Sequence, residues 1–152
     1  MDAGSPVSSR AASPKHFKAP QPEPCGTGKF VFADGSCYEG EWQSFGGVRQ
    51  RHGRGRLQDG PESYDGEWSG DAMCGEGVYT FATGAKYSGN MENNRFNGQG
   101  TYTWPDGAVY EGAWREGRMH GDGCYTDADG EPWEGKFFNG KYDNGRAFVS
   151  LR

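Results

Sequence analysis

The feature that most constrains this chain is a pentapeptide that returns every 23 residues. Tyr64-Asp-Gly-Glu-Trp68, Tyr87-Ser-Gly-Asn-Met91, Tyr110-Glu-Gly-Ala-Trp114 and Trp133-Glu-Gly-Lys-Phe137 start 23 residues apart. Eleven residues after the first three openings comes a Gly-x-Gly (Gly75/Gly77, Gly98/Gly100, Gly121/Gly123), and nine after its first glycine a further glycine, at Gly84, Gly107 and Gly130. An earlier unit opens at Tyr38-Glu-Gly-Glu-Trp42 and runs 26 residues to Tyr64; its Gly53/Gly55 pair comes late, which places an inserted loop at Phe45–Arg51. The array spans 26–146, with a partial unit at 26–37, units starting at 38, 64, 87 and 110, and a decaying unit from 133 in which Asn144 and Arg146 replace the glycine pair. Atypical terminal units are what a stack of repeats needs to cap its ends. Residues 1–25 form a Pro/Ser-rich tail, and 147–152 a C-terminal end.

Each unit reads as two strands. In Tyr-x-Gly-x-Trp the side chains alternate, so Tyr64, Gly66 and Trp68 share one face while Asp65 and Glu67 share the other. A second alternating run follows the Gly-x-Gly, with Tyr79 and Phe81 on one face, matched by Phe30/Phe32, Tyr102/Trp104 and Tyr125. Asp34-Gly35, Asp59-Gly60, Asp106-Gly107 and Asp129-Gly130 supply the residues that tolerate positive φ between strands. The expected fold is all-β, a single elongated antiparallel sheet of stacked hairpins with one aromatic and one mostly acidic face. No helix-forming segment is at hand to cover the aromatic face.

Composition supports this reading. The chain has 27 glycines and 14% aromatics, while leucine and isoleucine are nearly absent, Leu57 and Leu151 being the only leucines. A core of interdigitated aliphatics cannot be built from these residues. A strand glycine costs roughly 0.5–1 kcal/mol against alanine. One buried aromatic removes about 150–250 Å² from water, worth about 4–6 kcal/mol gross. Two or three aromatics per unit therefore outweigh two glycines, which let neighbouring rings lie across bare backbone.

The Tyr-x-Gly-x-Trp/Phe, Gly-x-Gly and Asp-Gly pattern at a 23-residue period resembles the MORN (membrane occupation and recognition nexus) repeat. The whole chain is similar to small proteins made almost entirely of such repeats. The resemblance implies stacked hairpins forming a curved groove. It also implies scaffolding in cilia, flagella and other microtubule-based assemblies, where several such proteins gather. MORN units also occur beside lipid kinase and lysine methyltransferase domains, but no stretch here is long enough to house one. The departures are Met91 in place of the second aromatic, the expanded first unit and the missing last Gly-x-Gly.

The expected function is a non-enzymatic scaffold or adaptor within a large multi-protein complex, placed in a ciliary or flagellar axoneme or the cytoskeleton, and otherwise in the cytoplasm. Exposed apolar stripes mark interfaces, and Tyr and Trp are favoured anchors there. The expected partner-binding residues are therefore Tyr38, Trp42, Tyr64, Trp68, Tyr79, Phe81, Tyr87, Tyr102, Trp104, Tyr110, Trp114 and Trp133, receiving a helix or extended segment. Arg49, Arg51, Arg54 and Arg56, with His52, form the one basic cluster. It reads as a solvated loop, or as a patch for an acidic partner such as a tubulin surface, or for an anionic lipid headgroup. Membrane docking is the alternative function, and the charge balance disfavours it: the net charge is −5, and with the tail at +1 the remainder carries −6. The same sign argues against nucleic acid.

No cofactor or metal is expected. Cys25, Cys37, Cys74 and Cys124 lie far apart with no Cys-x-x-Cys pair, which suits reduced thiols. The Gly-x-Gly pairs precede strands, whereas a dinucleotide site needs a helix N-terminus after the glycines. His52 and His120 each precede the Gly-x-Gly of their unit, an equivalence that suits a structural role better than a catalytic one. In the tail, expected to be disordered alone, Ser5-Pro6 and Ser13-Pro14 are candidate sites for proline-directed kinases.

Overall fold

The computed structural model describes Gly4 and residues 21–152; most of the tail, with its expected disorder and both Ser-Pro sites, lies outside the described residues. Twelve strands follow one another among the described residues: β1 (Cys25–Val31), β2 (Cys37–Phe45), β3 (Val48–Asp59), β4 (Glu62–Ser69), β5 (Ala72–Thr80), β6 (Lys86–Glu92), β7 (Arg95–Thr103), β8 (Val109–Arg115), β9 (Arg118–Thr126), β10 (Pro132–Phe138), β11 (Lys141–Asp143) and β12 (Phe148–Val149). Each pairs antiparallel with its sequence neighbours, giving one open sheet in strict chain order. Every pairing is therefore local in sequence.

The sheet is laid out in rows that cross the strands. One glycine from each of β1 to β10 stands in register with the next, in the order Gly28, Gly40, Gly55, Gly66, Gly77, Gly89, Gly100, Gly112, Gly123 and Gly135. Two residues to one side runs a row of large side chains from Phe30 and Tyr38 through Leu57, Tyr64, Tyr79, Tyr87, Tyr102, Tyr110 and Tyr125 to Trp133. The tyrosines that open the units lie over the glycine row. A Cβ added at Gly55, Gly77, Gly100 or Gly123 would collide with the hydroxyl of Tyr38, Tyr64, Tyr87 or Tyr110 respectively. Bare backbone is what lets a ring lie flat on a strand.

The hairpin tips are two-residue turns with both residues at positive φ: Gly46–Gly47, Gly70–Asp71, Asn93–Asn94, Glu116–Gly117 and Asn139–Gly140. Such turns match the right-handed strand twist. The turns at the opposite edge repeat one bonding pattern: the amides of Phe32, Phe81 and Trp104 donate to the carbonyls of Ser36, Ala85 and Ala108 at 2.8–2.9 Å. Those acceptors are small residues buried beneath the aromatic row.

The insertion in the first full unit differs from expectation. It is not a loop: β2 and β3 continue in register as far as Phe45 opposite Val48, and the tip is the tight Gly46–Gly47 turn. The extra residues lengthen the hairpin because paired backbone satisfies its own donors and acceptors, which a bulged-out loop would not.

Candidate functional site: the aromatic face

Each opening tyrosine is bonded within its own unit. The hydroxyls of Tyr38, Tyr64, Tyr87 and Tyr110 donate to the carbonyls three residues on, at Glu41, Glu67, Asn90 and Ala113, over 2.5–3.1 Å. These carbonyls lie where the register shifts directly after the central glycine of the pentapeptide, with the extra residues of the bulge on the partner strand. The indoles of Trp68 and Trp114 donate back to the carbonyls of Gly55 and Gly100, both at 3.0 Å. Each indole thereby stands edge-on between two tyrosines: Trp68 is 5.6 Å from Tyr38 and 5.1 Å from Tyr64, and Trp114 is 5.5 Å from Tyr87 and 5.1 Å from Tyr110. These rings are both the core and the joint between units. Burial lifts the phenols of Tyr38, Tyr64 and Tyr110 to about 12 and that of Tyr87 further.

Met91, the departure from the repeat, is buried and pairs with Phe96, which stacks on Tyr87 at 3.8 Å. In the flanking units Trp68 pairs with Met73 and Trp114 with Met119. The large and small partners have exchanged strands, so the pair's volume is kept.

The twelve residues expected to bind partners divide by burial. Tyr38, Tyr64, Tyr87 and Tyr110 are at most 1% exposed, and Trp68 and Trp114 are also buried, so these six have little surface to offer a partner. Trp42, Tyr79, Phe81, Tyr102 and Trp104 are half-buried, and Trp133 is exposed. Phe30, Phe32 and Leu57 join the accessible set, with Phe32 at 44%. A cleft of about 550 Å³ opens at the N-terminal end of this face, between Phe30, Phe32, Asp34, Trp42, Arg49 and Asp59.

The basic cluster is not one patch. Strand alternation sends Arg49 and Arg51 to the aromatic face, where they stack on Trp42 and Trp68 at 4.6 and 4.5 Å. Arg51 also pairs with Asp71 at 3.1 Å. Arg54 and Arg56 occupy the other face, opposite Glu67, Glu39 and Asp65. Read as a loop, the four charges converge; on a strand of period 2 they cannot. His52 and His120 lie beside Phe45 and Phe138 at 5.4 and 5.3 Å, each with a buried, unpaired Nδ1.

Three features escaped the sequence reading. The first is the buried small residue after three of the turn glycines, Ser36, Ala85 and Ala108. The second is the C-terminal end: Leu151 packs against the buried rings, and Arg152 lies 4.5 Å over Trp104 while pairing with Asp106 at 3.1 Å. No periodic signal marks these contacts. The third is a set of arginines at the hairpin tips, where Arg95, Arg115 and Arg118 line one cleft.

These features define a class: an open, single-layer β-repeat protein whose core and accessible aromatic surface share one face. The MORN repeat family model matches residues 23–37, 64–86, 87–109 and 110–131, together more than half of the chain, and the chain belongs to the MORN-repeat family. The matches skip the unit that begins at Tyr38, the one with the lengthened hairpin. Comparison with curated proteins finds no match. The family is generally one of non-catalytic repeats and adaptors that bind proteins or membranes.

Proposed function

We propose that this protein is a non-enzymatic scaffold that holds partner proteins along its aromatic face, within a ciliary, flagellar or other cytoskeletal assembly. One observation carries the reading: the half-buried rings Tyr79, Phe81, Tyr102 and Trp104 form a continuous apolar surface which, apart from Arg152 stacked on Trp104 and Leu151 against the rings, no helix or second sheet covers among the described residues. Stripes of this kind are where partners dock. The cytoskeletal setting is proposed on the family resemblance alone and is tested by proximity labelling in ciliated cells, where a neighbour set without axonemal or cytoskeletal proteins removes it. For the scaffold role, Phe81→Ser with Trp104→Ser is the test. The variant keeps its far-UV circular dichroism and loses the partners captured by the wild-type chain; undiminished capture refutes the role.

A second reading, docking on anionic phospholipid, has one observation behind it, the convergence of Arg95, Arg115 and Arg118 at the hairpin tips. Co-sedimentation with phosphatidylserine vesicles, abolished by replacing these arginines with glutamine, is its signature.

A further inference from the structure

One end of the aromatic face already holds an occupant, and its chemistry points to what the other end accepts. We propose that the N-terminal cleft between Phe32, Asp34 and Asp59 binds an extended peptide in which an apolar side chain precedes an arginine. The inference rests on the scaffold reading and names the partner chemistry for one part of that surface.

At the occupied end, Arg152 stacks on Trp104, and its guanidinium contacts the Asp106 carboxylate at 3.1 and 3.4 Å and the Tyr125 hydroxyl at 3.1 Å. Leu151, just before it, packs on the buried rings. A planar guanidinium suits this site because it stacks and pairs at once, which an ammonium does less well.

The repeat carries the same turn to the other end. Trp104-Pro-Asp106-Gly-Ala108 corresponds to Phe32-Ala-Asp34-Gly-Ser36, with the same backbone bonds closing both turns at 2.9–3.0 Å. In both, the aspartate Oδ1 accepts from the amide two residues on, at 2.8 Å in Asp34 and 3.0 Å in Asp106. Hydrogen bonding in each turn holds both carboxyls below the usual range, so both are anionic at neutral pH; the Ser36 hydroxyl leads at Asp34, and the Ala108 amide at Asp106. The next positions differ informatively. Leu57 stands where Tyr125 does, removing one acceptor, and Asp59 stands where Asp127 does. Asp127 is engaged by the amides of Asp129 and Glu131 at 3.0 and 2.9 Å, whereas Asp59 has no side-chain partner among the described residues. Arg49 and Arg51 also line this cleft, but they are stacked on Trp42 and Trp68, and Arg51 pairs with Asp71. No cation pairs with Asp34 or Asp59 among the described residues, so the site offers two unpaired carboxylates and an exposed ring. The intervening turn has Thr83 in place of the aspartate and offers no such site.

The probe is the acetylated, amidated hexapeptide Ala-Phe-Val-Ser-Leu-Arg, the sequence of residues 147–152, labelled and titrated into the full chain. It binds at a single site. Affinity falls about tenfold when the peptide arginine becomes alanine, and about tenfold in the Asp34→Asn/Asp59→Asn chain, the loss expected for one stacked, paired guanidinium. Arg152→Ala in the chain releases the resident segment and exposes a second site, which remains in the Asp34→Asn/Asp59→Asn/Arg152→Ala chain. Absence of binding, or affinity indifferent to the peptide arginine and both aspartates, overturns the proposal. A concentration-dependent dimer of the full chain that disappears in both Asp34→Asn and Arg152→Ala seats the Leu151-Arg152 segment of a second copy in the cleft and supports the proposal; a dimer lost in Asp34→Asn but kept in Arg152→Ala overturns it. Partner capture that survives Asp34→Asn/Asp59→Asn but is lost in Phe81→Ser/Trp104→Ser sinks this inference and leaves the scaffold reading standing.

Discussion

The lengthened hairpin β2–β3 and the regular hairpins β4–β5, β6–β7 and β8–β9 meet the same packing requirement with different amounts of chain. From the pentapeptide glycine to its partner glycine is 15 residues in the first (Gly40 to Gly55) and 11 in the others, as from Gly89 to Gly100. The glycines nevertheless meet, and Tyr38 lies over Gly55 as Tyr87 lies over Gly100. Hairpin length is free because the added residues pair with one another. The glycine register is not free, because a ring already fills the space that a Cβ would need. The difference lies at the tip: Arg49 reaches back over Trp42, which remains half-buried, whereas Trp68 and Trp114 are buried in the next units.

The largest expected effect tests that equivalence. Gly55→Ala and Gly100→Ala each destabilise the chain by about 3 kcal/mol or more, since ring and backbone must both move. Urea denaturation measures this, and a Gly55→Ala cost below about 1 kcal/mol beside a large Gly100→Ala cost would break the comparison. Raising the pH acts on both regions together. The buried phenols have native pKa values above their unfolded value of 10, so their contribution is complete below pH 10 and is lost as pH rises towards 12. The urea midpoint should stay flat through neutral pH and fall from pH 10, by about 1.3 kcal/mol per phenol and on the order of 4 kcal/mol for the three together at pH 11. A fall beginning near pH 8 would point to other groups.

Smaller effects sharpen the contrast. Tyr38→Phe and Tyr87→Phe each lose one bond to a bulge carbonyl and cost about 1 kcal/mol. Unequal costs would show that the longer hairpin has loosened its bulge. Arg51→Ala, which removes the contact with Trp68 and the half-exposed pair with Asp71, costs about 0.5–1 kcal/mol and lowers the thermal midpoint by a few degrees. The smallest effect comes from excising Ser44, Phe45, Val48 and Arg49, which restores the regular spacing and keeps the Gly46–Gly47 turn. Stability stays within about 1 kcal/mol: the backbones of the lost residues pair with each other, and what goes besides is the Arg49 stack on Trp42, the Phe45 contact with His52 and the Ser44 amide bond to Pro24. Unfolding of that variant would mean that length matters as well as register.

Much of the site was legible in the chain, although its burial was not. Tyr64-x-Gly66-x-Trp68 marks the strand face, and the Gly-x-Gly marks where rings approach backbone, because alternation and the absence of Cβ are local properties. Which rings remain open to a partner is not local. Tyr87 and Tyr102 share one face and one row, yet Tyr87 is sealed by Trp114 and Phe96 while Tyr102 stays half-buried. That depends on side chains contributed by the following strands. In sequence the four arginines read as one loop, because only Gly46-Gly47, the two positive-φ residues of the tip, distinguishes an extended hairpin from an inserted loop.

By itself, then, the sequence determined the repeat, the strand alternation and the glycine register, all imposed by sterics within a unit or between adjacent strands. The tertiary structure alone decided which rings are spent on the core, which face each arginine takes, and that Leu151 and Arg152 fold back onto Trp104. Those outcomes depend on contacts between residues distant in the chain: Arg152 meets Asp106 across 46 positions, and no period of 2 or 23 encodes that meeting.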